Sequence, residues 1–269
     1  MTVRGAGTVV GVCAVMLALG GCAAATSKIE LVPPPSTRPA PAASAAAAPS
    51  EEQIAGHETA AAGTLRSLAA AQTTFVVRCF VDQDGDGAGE YGCLRELCGS
   101  AIVRGRSRTL APGEMFPGAM GKVNKLGIVT KTGYCYIVYL PTNAGPAISG
   151  DAGAGPVADP LNADAQETRW CAYAWPKEYG VTGRRVFVIN QQAEVNVASN
   201  QRPDGKPLYS GDGTNAGDVI PKPGAALVPS DGREQDLDGD LIPAGARFQS
   251  TVVSSHRGSD GQEWSLPRR

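Results

Sequence analysis

Histidine is scarce in this chain, and neither sign of charge is in excess. The 269 residues include only two histidines, which argues against histidine-rich metal sites and histidine-pair catalysis. The 24 basic and 26 acidic residues give a net charge of −2 and a pI near 5.8. Nucleic-acid binding depends on a basic surface, so this balance gives no reason to expect a nucleic acid as partner.

Aromatic residues are also few, and the common catalytic motifs are missing. Of the five Phe, seven Tyr and three Trp, eight lie between residues 134 and 187, which predicts the packed core there. The chain has no GxSxG, GxxxxGK[ST] or HExxH motif, and no GxGxxG after a predicted strand. These absences favour a non-enzymatic role. An envelope hydrolase that uses loop carboxylates is an alternative.

The amino terminus carries a short apolar run that ends in Leu19-Gly20-Gly21-Cys22. The run is too short to cross a bilayer of about 30 Å as a helix, and it is typical of a signal peptide. Its last four residues resemble the lipobox of bacterial lipoproteins, where cleavage precedes a cysteine that carries diacylglycerol. The resemblance implies a signal peptide over residues 1–21, a lipid on Cys22 and, because Ala23 is not aspartate, the outer membrane.

A proline- and alanine-rich segment separates Cys22 from the rest of the chain. Residues 33–49 hold six prolines and seven alanines among 17 positions. Such a segment buries too little apolar surface to fold, and at about 3.1 Å per residue it extends about 50 Å. We therefore expect a lipidated, disordered stalk over residues 22–49 and one folded domain over residues 50–269.

The folded domain opens with a helix signal. Ser50 and Gln53 have the spacing of a capping box, and Glu51 and Glu52 lie at the positive end of the helix dipole. Apolar residues then recur at helical spacing, which predicts one amphipathic helix from about residue 51 to 80. A short helical turn is expected at residues 94–98.

Strand signals dominate the second half of the chain. Aromatic and β-branched residues predict strands at residues 133–141, 169–176 and 184–190. Residues 143–165 predict a surface loop, residues 200–245 a long irregular excursion, and residues 246–254 a late strand. The predicted fold class is α+β, with a long amino-terminal amphipathic helix packed on an antiparallel sheet.

The order of these parts resembles the head of type IV pilins and type II secretion pseudopilins, and bacterial secreted proteins that share this head. The likeness covers residues 60–95 and 130–195, and rests on residues 65–72 leading into residues 82–91, then Gly133-Tyr134 and residues 173–183. A true pilin begins with a prepilin peptidase site and a hydrophobic half-helix, which are replaced here by the lipobox and stalk. The resemblance implies the fold of the head and a scaffold or interaction role with an envelope protein, not fibre assembly.

Five cysteines remain after Cys13 leaves with the signal peptide and Cys22 is lipidated. Exported proteins meet an oxidising compartment, so at most two disulfides and one free thiol are expected. We predict a bridge between Cys135 and Cys171 in neighbouring strands. The second would join Cys79 to Cys93 or Cys98.

An acidic, glycine-rich segment follows the predicted helix. Asp82, Asp84 and Asp86 alternate as in the first half of a calcium loop, with Glu90 at the ninth position, but the twelfth is Cys93 instead of glutamate. The sequence leaves two interpretations open: a calcium site formed by these four residues, or a turn whose aspartates bond local amides. Weaker partial matches occur at residues 236–240 and 259–262. A calcium-stabilised secretion component is therefore another alternative function.

Overall fold

The computed structural model describes residues 48–142, 145–148, 163–223, 225–226, 255–258 and 260–267. The predicted signal peptide, Cys22 and most of the stalk lie outside these residues, as does the late strand expected at residues 246–254. The folded unit extends from Ala47 onward. None of its described helices combines the length and apolar composition needed to cross a membrane.

Helix α1 spans Glu51–Val77 and begins where the sequence predicts. The Ser50 hydroxyl accepts a hydrogen bond from the Gln53 amide at 3.2 Å, and the Gln53 side chain accepts one from the Ser50 amide at 2.9 Å. The helix ends three residues before the predicted boundary, because Cys79 adopts a left-handed φ of 50°. Its buried face contains Ala61, Leu65, Leu68, Ala69 and Phe75, among others.

The described strands form an antiparallel sheet, so the chain has a mixed α/β fold. Seven strands lie in the order β1-β2-β4-β5-β6-β8-β7, and β3 pairs with β2. The strands are β1 (Val129–Lys131), β2 (Tyr134–Thr142), β3 (Gly145–Ile148), β4 (Cys171–Pro176), β5 (Val186–Asn190), β6 (Asn196–Ala198), β7 (Ser255–Arg257) and β8 (Glu263–Ser265).

Three short helical segments complete the secondary structure. They are α2 (Leu94–Leu97), a 3-10 turn (Gly118–Gly121) and α3 (Ala163–Thr168). The prediction of a surface loop over residues 143–165 is therefore wrong at both ends, where β3 and the start of α3 lie. The α3 sequence Ala-Asp-Ala-Gln-Glu-Thr contains good helix formers, with Asp164 in the first turn, but six residues are too few to produce a visible apolar period.

The sheet buries both of its faces. One face packs against α1 through Tyr134, Tyr136, Trp170 and Phe187, among others. The other face contains a second core, which includes Tyr139, Tyr173, Trp175, Tyr209 and Trp264. All six residues of β4 are buried in consequence.

The described part of the long excursion covers this second face. The Trp175 indole donates a hydrogen bond to the Gly211 carbonyl at 2.8 Å, and the Tyr139 hydroxyl donates one to the Pro221 carbonyl at 2.7 Å. An irregular segment is therefore held against the sheet by the polar tips of buried aromatic side chains.

Ionic contacts tie the start of α1 to the connection between β4 and β5. The buried Glu58 carboxylate accepts hydrogen bonds from the backbone amides of Arg184 and Arg185 at 2.9 and 3.2 Å, and from the Arg185 guanidinium at 2.5 Å. At the surface, Arg184 forms two hydrogen bonds with Glu51. These contacts fix α1 on the sheet at the end that follows the predicted stalk.

Candidate cation site

The acidic segment after α1 forms a compact turn. One carboxylate oxygen of each aspartate accepts a backbone hydrogen bond: Asp82 from Gly85 at 2.7 Å, Asp84 from Asp86 at 3.3 Å, and Asp86 from Ala88 at 2.7 Å. The interpretation as a turn with local side-chain bonds is confirmed. Each aspartate still has a second carboxylate oxygen that makes none of these bonds.

The same turn brings the three aspartates together. Asp82, Asp84 and Asp86 each offer a carboxylate oxygen, and these oxygens lie within 4.8 Å of one another. A second triad with the same spacing joins Asp84 to Asp164 and Glu167 of α3. Because Asp84 belongs to both triads, the five side chains form one group, here called the five-carboxylate cluster.

Three of the five carboxylates, those of Asp84, Asp86 and Asp164, are exposed, and those of Asp82 and Glu167 are partly buried. Among the described residues, none of the five carboxylates takes part in a salt bridge. Burial, together with the charges of Asp86 and Asp84, raises the pKa of Glu167 to about 7. The Oε1 atom of Glu167 is buried and has no hydrogen-bond partner. An unpartnered, buried carboxylate oxygen is costly, and a bound cation would satisfy it.

Glu90 occupies a different environment from the one expected of the ninth loop position. Its side chain is fully buried and accepts hydrogen bonds from the backbone amide of Gln83 at 2.7 Å and from the Gln83 side chain at 2.5 Å. It also pairs with the Arg104 guanidinium at 3.4 Å. The structure therefore assigns Glu90 to a buried network beneath the loop, and neither carboxylate triad includes it.

Arg104 is the centre of that buried network. Its side chain is only 6% exposed, and its Nε donates to both carboxylate oxygens of Glu96 at 3.0 and 3.2 Å. Further hydrogen bonds run to the Gln166 side chain on α3 and to the Tyr91 carbonyl. Burial alone would lower the pKa of Arg104, but its interactions with Glu96, Cys93 and Glu90 together outweigh burial and raise the pKa.

The donors of the five-carboxylate cluster fit a hard divalent cation such as Ca²⁺. Calcium takes about six to eight oxygen ligands and prefers carboxylates. The twelfth position of the loop, Cys93, supplies none, because burial raises the pKa of its thiol to about 12. Glu167 of α3 offers a carboxylate oxygen instead. No local sequence pattern indicates this contribution, since about 80 residues separate α3 from the loop.

The cysteines show a different arrangement from the predicted disulfides. Cys79, Cys93, Cys98 and Cys135 are free thiols. Although β2 and β4 are neighbours as expected, Cys135 lies opposite Trp175 and Cys171 opposite Tyr139. Four positions of register correspond to about 13 Å, whereas a disulfide needs about 5.5 Å between Cα atoms. The register of β2 and β4 therefore does not bring Cys135 and Cys171 to the spacing that the predicted bridge requires.

The weaker calcium-like segments add no second cluster among the described residues. Residues 236–240 lie outside the described part of the chain. Asp260 bonds internally: one oxygen accepts from the Tyr209 hydroxyl at 2.8 Å, and the other accepts from the Trp264 indole at 3.2 Å and the Gln262 amide at 2.9 Å. This carboxylate fixes the β7–β8 hairpin to the second core.

The hydrolase alternative needs two carboxylates held about 5–9.5 Å apart. Within each of the two carboxylate triads, the oxygens lie within 4.8 Å of one another. His57 contacts the Thr182 carbonyl at 3.1 Å through Nδ1. Comparison of the chain with protein-family models, with curated proteins and with solved structures yields no match.

Proposed function

We propose that this chain is a lipid-anchored protein of the bacterial cell envelope, with a pilin-like head that has a non-enzymatic scaffold or interaction role. The observation that carries the proposal is the Leu19–Cys22 sequence followed by the proline- and alanine-rich segment. A folded unit that begins directly after that segment is consistent with this order. The protein partner would meet a head held up to about 50 Å from the membrane surface.

Lipidation of Cys22 would anchor this chain in the membrane, in place of the hydrophobic half-helix of a true pilin. A thioether to diacylglycerol can form only at a cysteine thiol, and cleavage before Cys22 frees its amino group for a further acyl chain. Each buried CH₂ contributes about 0.8 kcal/mol to membrane binding, so several chains anchor firmly where one does not. The protein would therefore remain at the membrane without a transmembrane helix.

Metabolic labelling with palmitate tests the anchor. The wild-type protein should incorporate label and fractionate with membranes, and Cys22→Ala should lose both properties. Cys13→Ala is the matched control, because it removes a cysteine from the same signal segment and should leave labelling unchanged. Equal labelling of wild type and Cys22→Ala, or unlabelled wild-type protein in the cytosol, would contradict the proposal.

A second proposal concerns the five-carboxylate cluster, which we infer to be a calcium site that stabilises the head. The specific observation is that Asp84 lies in one triad with Asp82 and Asp86 and in a second triad with Asp164 and Glu167. A cation there would offset their mutual repulsion and link the loop to α3. At 100 times its dissociation constant, a ligand specific for the folded state stabilises it by about 2.7 kcal/mol. For a domain of this size that is about 8 °C in melting temperature.

Calorimetry on the mature protein in detergent tests the calcium site. Calcium chloride should produce binding heat and the stated thermal shift. Asp84→Asn should remove most of that heat, because Asp84 belongs to both triads. Asp204→Asn is the control, since Asp204 is exposed and pairs with Lys206 outside the cluster. The absence of heat and of any thermal shift in the wild type would refute calcium binding.

A further inference from the structure

The β7–β8 hairpin carries its own ladder and its own turn. Its two strands pair at three positions. The Gly258 amide closes the turn by donating a hydrogen bond to the Gln262 carbonyl at 2.9 Å. These bonds do not involve the rest of the sheet. Because an isolated two-stranded hairpin is only marginally stable in water, the unit still needs a surface on which to dock.

Fewer backbone links join the hairpin to the rest of the sheet. Among the described residues, β8 pairs with β6 at one position, Val197↔Ser265. The turn adds two bonds through Asp260: its carboxylate accepts one from the Tyr209 hydroxyl at 2.8 Å, and its amide donates one to the Ala225 carbonyl at 3.1 Å. Elements held by few backbone links are among the first to open locally.

One side chain supplies the main anchor of the docked hairpin. The Trp264 indole is fully buried in the second core, edge-on to the Tyr173 ring with centroids 6.4 Å apart. At the surface, the Gln262 side chain bonds to Ser199 and to the Gln201 carbonyl. A buried indole with polar contacts around it is typical of the residues that dominate protein interfaces. The residues that receive the hairpin, here called the docking surface, are Tyr173, Val197, Ser199, Gln201, Tyr209 and Ala225.

The covalent connection is long enough for the hairpin to reach another molecule. Residues 227–254 join Ala226 to β7, and these 28 residues can span up to about 90 Å. A domain of this size is about 45 Å across. The length of the connection therefore permits the hairpin to dock either on its own head or on that of a neighbouring copy.

We propose that two copies of this chain exchange their β7–β8 hairpins, so that the docking surface of each head binds the hairpin of the other. The occupant is a second copy because the docking surface fits the Trp264 indole and the Asp260 carboxylate of this sequence. Exchange replaces each contact within a chain by the same contact between chains, which makes it a low-cost route to a dimer. It goes beyond the proposed lipid anchor and does not depend on it.

A hairpin that never leaves its own head is the competing explanation, and two variants of the full chain separate the two. Trp264→Ala removes the anchor of the hairpin but keeps the docking surface. Tyr209→Phe weakens the docking surface by removing the bond to Asp260, but keeps the hairpin. In a mixture, the intact hairpin of Tyr209→Phe should therefore dock on the intact surface of Trp264→Ala.

The experiment mixes the two purified variants, each with a different tag, and measures how much of one is recovered with the other. The control mixes two differently tagged copies of Trp264→Ala, which have no intact hairpin to exchange. Recovery should be at least about tenfold higher in the first mixture, because truncation of a central buried Trp typically costs that much in affinity. Equal recovery in the two mixtures would overturn the exchange.

A labelled peptide of residues 255–267 tests the docking surface of the wild-type protein, so that no variant has to fold. The peptide should bind in fluorescence anisotropy, and its Trp264→Ala version should bind at least about tenfold more weakly. Bound peptide should displace the hairpin and speed hydrogen exchange at the Asp260 amide, which donates to Ala225 in the docked state. No binding and unchanged exchange would overturn the inference. Peptide binding without association of the tagged copies would also overturn it, in favour of a strand from another protein.

Discussion

The Glu58 carboxylate should be one of the strongest single polar contributors to the stability of this domain. It is 5% exposed and accepts hydrogen bonds from the backbone amides of Arg184 and Arg185. Glu58→Ala would leave both amides without their acceptor at the junction between α1 and the sheet. Its ion pair with Arg185 adds less, because that guanidinium is 46% exposed.

The magnitude follows from the cost of unpaired donors. A buried donor without its partner costs about 1–3 kcal/mol, so the two amides together give about 3 kcal/mol. In a domain of this size, that loss lowers the melting temperature by about 9 °C. Alanine is a better helix former than glutamate, which offsets only a few tenths of a kcal/mol.

Thermal and urea unfolding, followed by circular dichroism at the helix signal, measure this loss. Glu52→Ala is the control, because Glu52 is an exposed acidic residue of the same helix. It should cost less than about 1 kcal/mol, through the helix dipole alone. If Glu58→Ala were no more destabilising than Glu52→Ala, the view that Glu58 fixes α1 on the sheet would be refuted.

Two further predictions concern glycines and pH. A Cβ added at Gly63 would meet nothing within 4 Å, so Gly63→Ala should stabilise α1 by about 1 kcal/mol. A Cβ added at Gly89 would meet the Val76 carbonyl oxygen at 2.1 Å, so Gly89→Ala should destabilise the fold by about 3 kcal/mol. Equal urea midpoints for these variants would contradict the close packing of the loop on α1. Burial raises the pKa of Asp260, so the folded state holds its proton more tightly than the unfolded state, and stability is lost as pH rises through the folded pKa. The stability of Asp260→Asn relative to the wild type should therefore increase as the pH rises above about 4. A difference between their urea midpoints that stays constant with pH would contradict this.

Local patterns in the sequence were sufficient to predict the main elements. The capping box at Ser50 marks the start of α1, and the strands observed at Tyr134–Thr142, Cys171–Pro176 and Val186–Asn190 lie within two residues of their predicted bounds. Aromatic density also located the core, since Trp170 and Trp175 are fully buried. These features depend on neighbouring residues and are visible at short range.

The features that the sequence did not reveal depend on long-range pairing. The register of β2 against β4, which separates Cys135 from Cys171, is not fixed by the long connection between the strands. The meeting of Asp84 with Asp164 and Glu167 is another such feature. Residues about 80 positions apart share this cluster, and no local spacing encodes that contact.

The mass of the amino-terminal peptide, taken from protein purified from membranes, shows directly whether Cys22 is lipidated. A lipoprotein yields a peptide that begins at Cys22 and carries diacylglycerol on the thiol, with a further acyl chain on the amino group. A peptide that begins elsewhere, or an unmodified Cys22 thiol in the protein from its native host, would refute the lipid anchor.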